Sequence, residues 1–197
     1  MKIGVLASQG AFAEHIAILE KLGVEASAVR LPEELEGLDG LIIPGGESTT
    51  ISKLMAHYKL TDALRDRAKK GFPIWGTCAG MIMLADKLPG SKVEPLGLMS
   101  IDVQRNAFGR QKESFETELS IPALGKKPFP AVFIRAPAIE KAHGDAEVLA
   151  TLDDGTIVAA RQGKLLASAF HPELTDDTRF HQYFLDIVAN GGKSRKK

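Results

Sequence analysis

The sequence predicts an α/β protein, a three-layer sandwich whose central sheet is mostly parallel and gains an antiparallel extension. Three observations carry that reading. Through the first half, short apolar runs of strand character alternate with segments of helical periodicity. In the second half, strand-like runs follow one another with little helix between them. A final segment, residues 176–189, returns to helical spacing.

The elements follow in order. Residues 2–7 form a short apolar run with β-branched members, punctuated by Gly10. Residues 11–22 place Phe12, Ile16, Leu19 and Leu22 at helical spacing and stop before Gly23, a favoured helix terminator. Residues 25–30 read as a second strand, and residues 39–43 as a third that ends at Pro44-Gly45-Gly46. Two helices are expected at 49–57 and 61–70, the latter closed by Gly71. A fourth strand, 72–75, runs directly into Gly76-Thr77-Cys78-Ala79-Gly80. Strands joined through helices must lie parallel, with both sheet faces covered. Further strands are expected at 98–104, 116–121, 131–135, 147–152, 156–161 and 165–170. Asp153-Asp154-Gly155 and Gln162-Gly163 read as hairpin turns joining the last three. The closing helix carries Phe180, Phe184 and Ile187 on one face. No repeat or linker divides the chain, so residues 1–191 read as a single domain. Residues 192–197, ending in Lys193-Ser194-Arg195-Lys196-Lys197, read as a frayed basic tail.

Bulk properties exclude several functions. The 44% hydrophobic and 25% charged fractions are those of an ordinary globular protein. Lys plus Arg and Asp plus Glu both number 25, which argues against a nucleic-acid binder. With one cysteine the chain can form no internal disulfide, so a reducing cytoplasm is the expected location. The apolar start is too short for a signal-peptide core or a membrane span, and no membrane association is expected.

Chemistry is concentrated in three places. At Gly76-Thr77-Cys78-Ala79-Gly80 a strand ends in small residues and a helix pattern begins, the layout of a nucleophile elbow with cysteine in place of serine. A following helix would turn its N-terminal N–H groups towards the thiol and favour the reactive thiolate. The alternative is that Cys78 is a small buried hydrophobe. At Phe170-His171-Pro172-Glu173, proline pushes His171 towards an extended backbone. In such a segment His171 and Glu173 share a side, and the carboxylate can hold the imidazole for work on a thiol. A capping acid beside a surface histidine explains the same pattern. His15, His57, His143 and His181 lack such a setting and read as solvated or structural. At Pro44-Gly45-Gly46-Glu47-Ser48-Thr49-Thr50, two glycines after a strand can turn backbone N–H groups outward as oxyanion donors. A plain strand-to-helix turn capped by Ser48 or Thr49 is the other reading. Neither P-loop nor dinucleotide spacing is present, which argues against phosphate binding.

Taken together, Gly-Thr-Cys-Ala-Gly at 76–80 and His171-Pro-Glu173 resemble the class I glutamine amidotransferases, whose Cys-His-Glu triad frees ammonia from glutamine. The widespread members of that superfamily carry Gln four positions after the nucleophile, where this chain has Ile82. The remaining motifs are similar to the branch that supplies the glutaminase subunit of pyridoxal phosphate synthase. They are Gly4-Val5-Leu6 with Gln9-Gly10, residues 41–50, Arg105-Asn106-Ala107-Phe108-Gly109-Arg110-Gln111, Phe133-Ile134-Arg135-Ala136-Pro137 and residues 170–175, and they span nearly the whole chain.

The resemblance implies a flavodoxin-like, class I amidotransferase-like fold and a triad of Cys78, His171 and Glu173. It further implies glutamine held by Gly46, Glu47, Ser48, Arg105, Ile134 and Arg135, with the N–H groups of Gly46 and Ala79 as oxyanion hole. Guanidinium groups suit the substrate carboxylate, although each arginine also reads as a surface ion-pair partner. Glu47 either meets the substrate ammonium or serves as a first-turn helix acid. The implied reaction runs through a γ-glutamyl thioester, needs no metal or organic cofactor, and delivers ammonia to a synthase subunit in a hetero-oligomer. That partner is expected to activate a nearly silent glutaminase, with Gln9 and Gly10 suited to the docking surface. A cysteine peptidase or deglycase, and a flavodoxin-like binding module that tolerates Cys78→Ala, are the competing readings.

Overall fold

The computed structural model describes residues 1–109 and 113–191. Arg110, Gln111 and the basic tail at 192–197, all singled out in the sequence, lie outside the described residues. In chain order the elements are β1 (Lys2–Leu6), α1 (Phe12–Lys21), β2 (Glu25–Val29), β3 (Gly40–Ile43), α2 (Ser48–His57), α3 (Leu60–Lys69), β4 (Ile74–Thr77) and α4 (Ala79–Leu84). There follow β5 (Ala85–Lys87), β6 (Met99–Gln104), β7 (Ser114–Leu119), β8 (Phe129–Ile134), β9 (Ala138–Ala142), β10 (Glu147–Thr151), β11 (Ile157–Gln162), β12 (Leu165–Ser168) and α5 (Arg179–Ala189).

One sheet runs β2-β1-β3-β4-β12-β11-β9-β6-β5, with β10 also paired to β11. From β2 to β12 all pairings are parallel, and this half has the strand order of flavodoxin-like folds. The order reverses between β1 and β3, which opens a crevice at the carboxyl ends of the strands. Right-handed crossovers in opposite directions put α1 and the pair α2–α3 on opposite faces. Accordingly α1 and α5 meet through His15 and His181, while α2 packs on α3 and α4.

The expected antiparallel extension is present as β11, β10, β9 and β6, with both anticipated hairpins in place. Three details differ. Strands β7 and β8 leave the main sheet and form a ribbon of their own. Strands β5 and β9 went unread: β5 is only three residues long, and Pro137 stands directly before β9. The strand expected to reach Phe170 stops at Ser168, because the backbone bends at residues 169–170 and the His171 N–H turns to the Val132 carbonyl of β8.

The core between sheet and helices centres on Trp75, which is fully buried. Its ring lies 5.4 Å from Phe180 and 5.6 Å from Phe184 of α5, and its indole N–H donates to Ser168 Oγ at 3.1 Å across the β4–β12 pair. Each fully buried Phe contributes about 1.5–3 kcal/mol of transfer free energy. This packing fixes α5 against the strands that carry the site.

Candidate active site

Cys78 stands between β4 and α4 with φ 48° and ψ −107°, a conformation that an L side chain rarely adopts. The turn is possible only because its neighbours are glycines. A Cβ on Gly76 would lie 2.3 Å from the Gly80 carbonyl oxygen, and a Cβ on Gly80 would lie 1.8 Å from that of Ile43. The Cys78 N–H donates to the Ser168 carbonyl at 2.7 Å, which ties the elbow to β12. The helix that follows has only six residues, so the first free N–H groups matter more here than a long axial dipole.

His171 follows β12, and its N–H donates to the Val132 carbonyl of β8 at 2.8 Å. The ribbon therefore helps to place it. Its ring Nδ1 lies 2.7 Å from Glu173 Oε1, and the Glu173 side chain is completely buried. The two side chains meet as expected, but for a different reason. Residues Pro172–Leu174 form a 3-10 turn, and this turn brings the carboxylate to the ring. Burial works to lower the His171 pKa, but hydrogen bonds to Cys78 and Glu173 outweigh it and push the value up to about 10. A pKa raised in this way favours the protonated ring, which stands beside the Cys78 side chain, itself 3.9 Å from the Ile134 carbonyl.

Cys78 and His171 open on one cleft of about 580 Å³ at the carboxyl ends of β1, β3, β4 and β12, with Glu173 buried behind them. Around Cys78 and His171 it gathers Gly46, Glu47, Ser48, Arg105, Ile134 and Arg135, together with Gln9, Gly10, Ala79 and Ile82. Every residue singled out in the sequence for substrate contact therefore reaches the same space. Asn106 and Pro137 line it as well and were not singled out as contacts. Arg135 itself has φ 41°, an unusual backbone for arginine.

Glu47 already has an occupation. Its carboxylate accepts the N–H groups of Thr49 (2.9 Å) and Thr50 (2.8 Å) and so caps α2. Those backbone hydrogen bonds, with help from the Thr50 hydroxyl, hold its pKa down at about 2. Arg105 Nη2 lies 3.5 Å from the same carboxylate. The helix-acid reading of Glu47 describes this geometry. Gln9 Oε1 accepts the Glu47 N–H at 3.1 Å, and a Cβ on Gly10 would meet the Gly45 carbonyl at 1.7 Å, so the first loop is locked against the glycine loop.

Two further residues were missed. His15 and His181 are fully buried, and His15 Nε2 lies 3.3 Å from Glu173 Oε2. The signal was present: His15 shares the apolar stripe of Phe12, Ile16, Leu19 and Leu22, and His181 sits beside Phe180 and Phe184. Their place on apolar faces required a buried partner. Among the described residues one other cluster, Asp86, Asp102 and His143, brings potential metal ligands together, away from the cleft.

Sheet order and elbow are those of a class I glutamine amidotransferase-like fold, and known structures place the chain in that class. A solved structure described as a crystal structure of glutamine amidotransferase superposes with a TM-score of 0.90 at 50% identity, covering 95% of this chain and 98% of that one. PurLQS from Thermotoga maritima, 18% identical, shares the fold with a TM-score of 0.71 over 95% of this chain and 98% of its own. The chain belongs to the SNO glutamine amidotransferase family, whose profile matches residues 5–190. Its relative in Herpetosiphon aurantiacus, named pyridoxal 5'-phosphate synthase subunit PdxT, is 60% identical over 190 residues, 95% of this chain and all of that one. A Pelotomaculum thermopropionicum protein of the same name is 56% identical along the full length of both chains. No helix among the described residues is long and apolar enough to cross a membrane.

Proposed function

We propose that the chain is the glutaminase subunit of a pyridoxal phosphate synthase, hydrolysing L-glutamine to L-glutamate and ammonia through Cys78, His171 and Glu173. The observation that carries this reading is His171, held at 2.7 Å by buried Glu173 and opening beside Cys78 on a cleft that also holds two arginines.

The substrate α-carboxylate would pair with Arg105 and Arg135, and its ammonium with Glu47, while Gly46, Ser48 and Ile134 border its chain. Arg105 is the better-placed guanidinium, already drawn towards Glu47 and bonded to Ser91 Oγ at 3.3 Å. The Cys78 sulfur attacks the carboxamide carbon, and the oxyanion is received by the N–H groups of Gly46 and Ala79. The C–N bond then breaks as the His171 proton passes to the departing nitrogen, leaving ammonia and a γ-glutamyl thioester. Neutral His171 next takes a proton from water, the hydroxide displaces the sulfur, and glutamate leaves. Every step uses groups of this chain, the substrate and water.

Ammonia would pass to a synthase subunit docked over the cleft. Exposed Gln9 and Gly10, which brace the Gly46 loop from outside, suit a contact that tunes the oxyanion hole from the partner's side. Gln9→Ala should weaken both assembly and activation. A lone free cysteine suits a reducing, cytoplasmic setting.

The deciding experiment measures glutamate release from glutamine with and without the synthase subunit, for wild type and Cys78→Ala. Wild type should be active in the complex and Cys78→Ala inactive. A wild-type complex that releases no glutamate, or a variant that matches it, overturns the reading.

A further inference from the structure

Behind Glu173 lie two buried imidazoles that the proposed chemistry does not use. His15 Nε2 stands 3.3 Å from Glu173 Oε2, and its Nδ1 is 2.9 Å from His181 Nε2. The contact to Oε2 is a charge–dipole approach without the alignment of a good hydrogen bond, and Oε2 has no hydrogen-bond partner elsewhere. The Thr77 hydroxyl lies 3.5 Å from the same Nε2, and Trp75 meets both rings edge-on, at 5.6 Å and 4.9 Å. His171 and Glu173 are the other titratable groups facing this pair.

Burial first, then neighbouring His181 and His171, lowers the pKa of His15, and burial lowers that of His181 to about 3. Both are neutral at physiological pH, so each carries one ring proton. A lone pair of His15 Nε2 turned towards a buried carboxylate would be repelled, so the proton belongs on Nε2. His15 Nδ1 is then an acceptor, and His181 must donate to it from its own Nε2. That leaves His181 Nδ1 as a bare acceptor, in keeping with its having no partner.

We infer that His15 is a positioning residue for the glutaminase reaction. It keeps the positive Nε2–H end of its ring beside the far oxygen of Glu173, so that the near oxygen stays on His171, and His181 fixes the tautomer that permits this. The inference rests on the triad reading above. Without His15, the buried Oε2, which has no hydrogen-bond partner, would lose this nearby positive dipole, and the carboxylate could relieve that penalty by turning away from His171 or taking up a proton.

Two measurements on the full chain in complex with its synthase subunit test this. The 15N imidazole spectrum of the wild-type protein should show His15 and His181 as neutral rings protonated on Nε2. A His15 proton on Nδ1, or a doubly protonated ring at neutral pH, overturns the inference, and this readout does not depend on glutamine turnover. Kinetically, His15→Leu should lower kcat about tenfold with KM nearly unchanged, and move the alkaline limb of kcat/KM to lower pH. His15→Gln, whose amide nitrogen can reach the position of Nε2, should recover most of the rate at a comparable Tm. Equal rates and profiles for wild type and His15→Leu, or for the Leu and Gln variants, overturn it. Should His15→Leu fail to fold, the Gln variant and the wild-type spectrum still decide. An inactive wild-type complex would instead overturn the glutaminase reading and leave the tautomer result standing.

Discussion

The Cβ that Gly45 lacks would sit 2.5 Å from Cε1 of His171. The same point is 3.2 Å from the ring Nδ1 and 3.3 Å from Cβ of Cys78, so the empty space over this glycine is what lets the base and the nucleophile approach each other. Gly45→Ala should displace the ring. A displacement near 1 Å costs about a hundredfold in rate, so kcat/KM for glutamine should fall by about that factor. Thermal unfolding of the variant should show little change in Tm, which separates a misplaced ring from a misfolded chain.

Glu173→Gln bears on the charge of His171. That ring's pKa is up at about 10 because hydrogen bonds to Cys78 and Glu173 overcome the burial that would lower it. Loss of the carboxylate removes one of those bonds and its charge, so the pKa should fall. The imidazolium is the form that protonates the leaving ammonia, and its alkaline limb in a kcat/KM–pH profile should move to lower pH. The linked stabilisation in wild type is fully present below the ordinary histidine pKa and is lost as pH rises through about 10.

For Glu47 the sign is opposite. A carboxyl held at about 2 stabilises the fold above its ordinary value of 4.5 and loses that effect as pH falls through about 2. Glu47→Ala removes the cap of α2 and should lower stability by about 1 kcal/mol at neutral pH. Denaturant unfolding at a series of pH values should show the gap between wild type and variant closing in acid. Glutamine KM should rise in the same variant if the carboxylate also meets the substrate ammonium.

Phe184 packs within 5.6 Å of Trp75 on one side and against Gly40 at the start of β3 on the other, where a Cβ would come within 3.3 Å of its Cζ. Phe184→Ala should cost about 3–5 kcal/mol, read as a shift in the midpoint of chemical unfolding. Since α5 also carries His181, kinetics of this variant should be measured well below its Tm.

The parallel half of the fold was legible because its strands are short runs that end near glycine or proline, and three of them, β1, β3 and β4, lead into helical patterns. Cys78 was legible for a related reason: Gly76 and Gly80 flag a turn that no larger residue can make. What escaped notice either lacked local signals or carried one that named no partner. Strand β9 begins directly after Pro137, and β7–β8 look locally like any antiparallel pair, so nothing in their spacing tells that they stand apart from the main sheet. The His171–Glu173 pair was found through the wrong geometry, since a 3-10 turn and an extended segment both bring positions two apart within reach here. His15 and His181 lie 166 positions apart and meet only once α1 and α5 dock on the same face of the sheet. No one-dimensional pattern joins them.

Trp75 is the only tryptophan in the chain, and its ring touches both of those histidines. The protein consequently carries an optical gauge at the one spot where the support of the triad can be watched. Protonated imidazole quenches indole emission, whereas neutral rings do so weakly. Emission should therefore stay level across neutral pH, and any event that recharges or parts the two buried rings should register as a change in light.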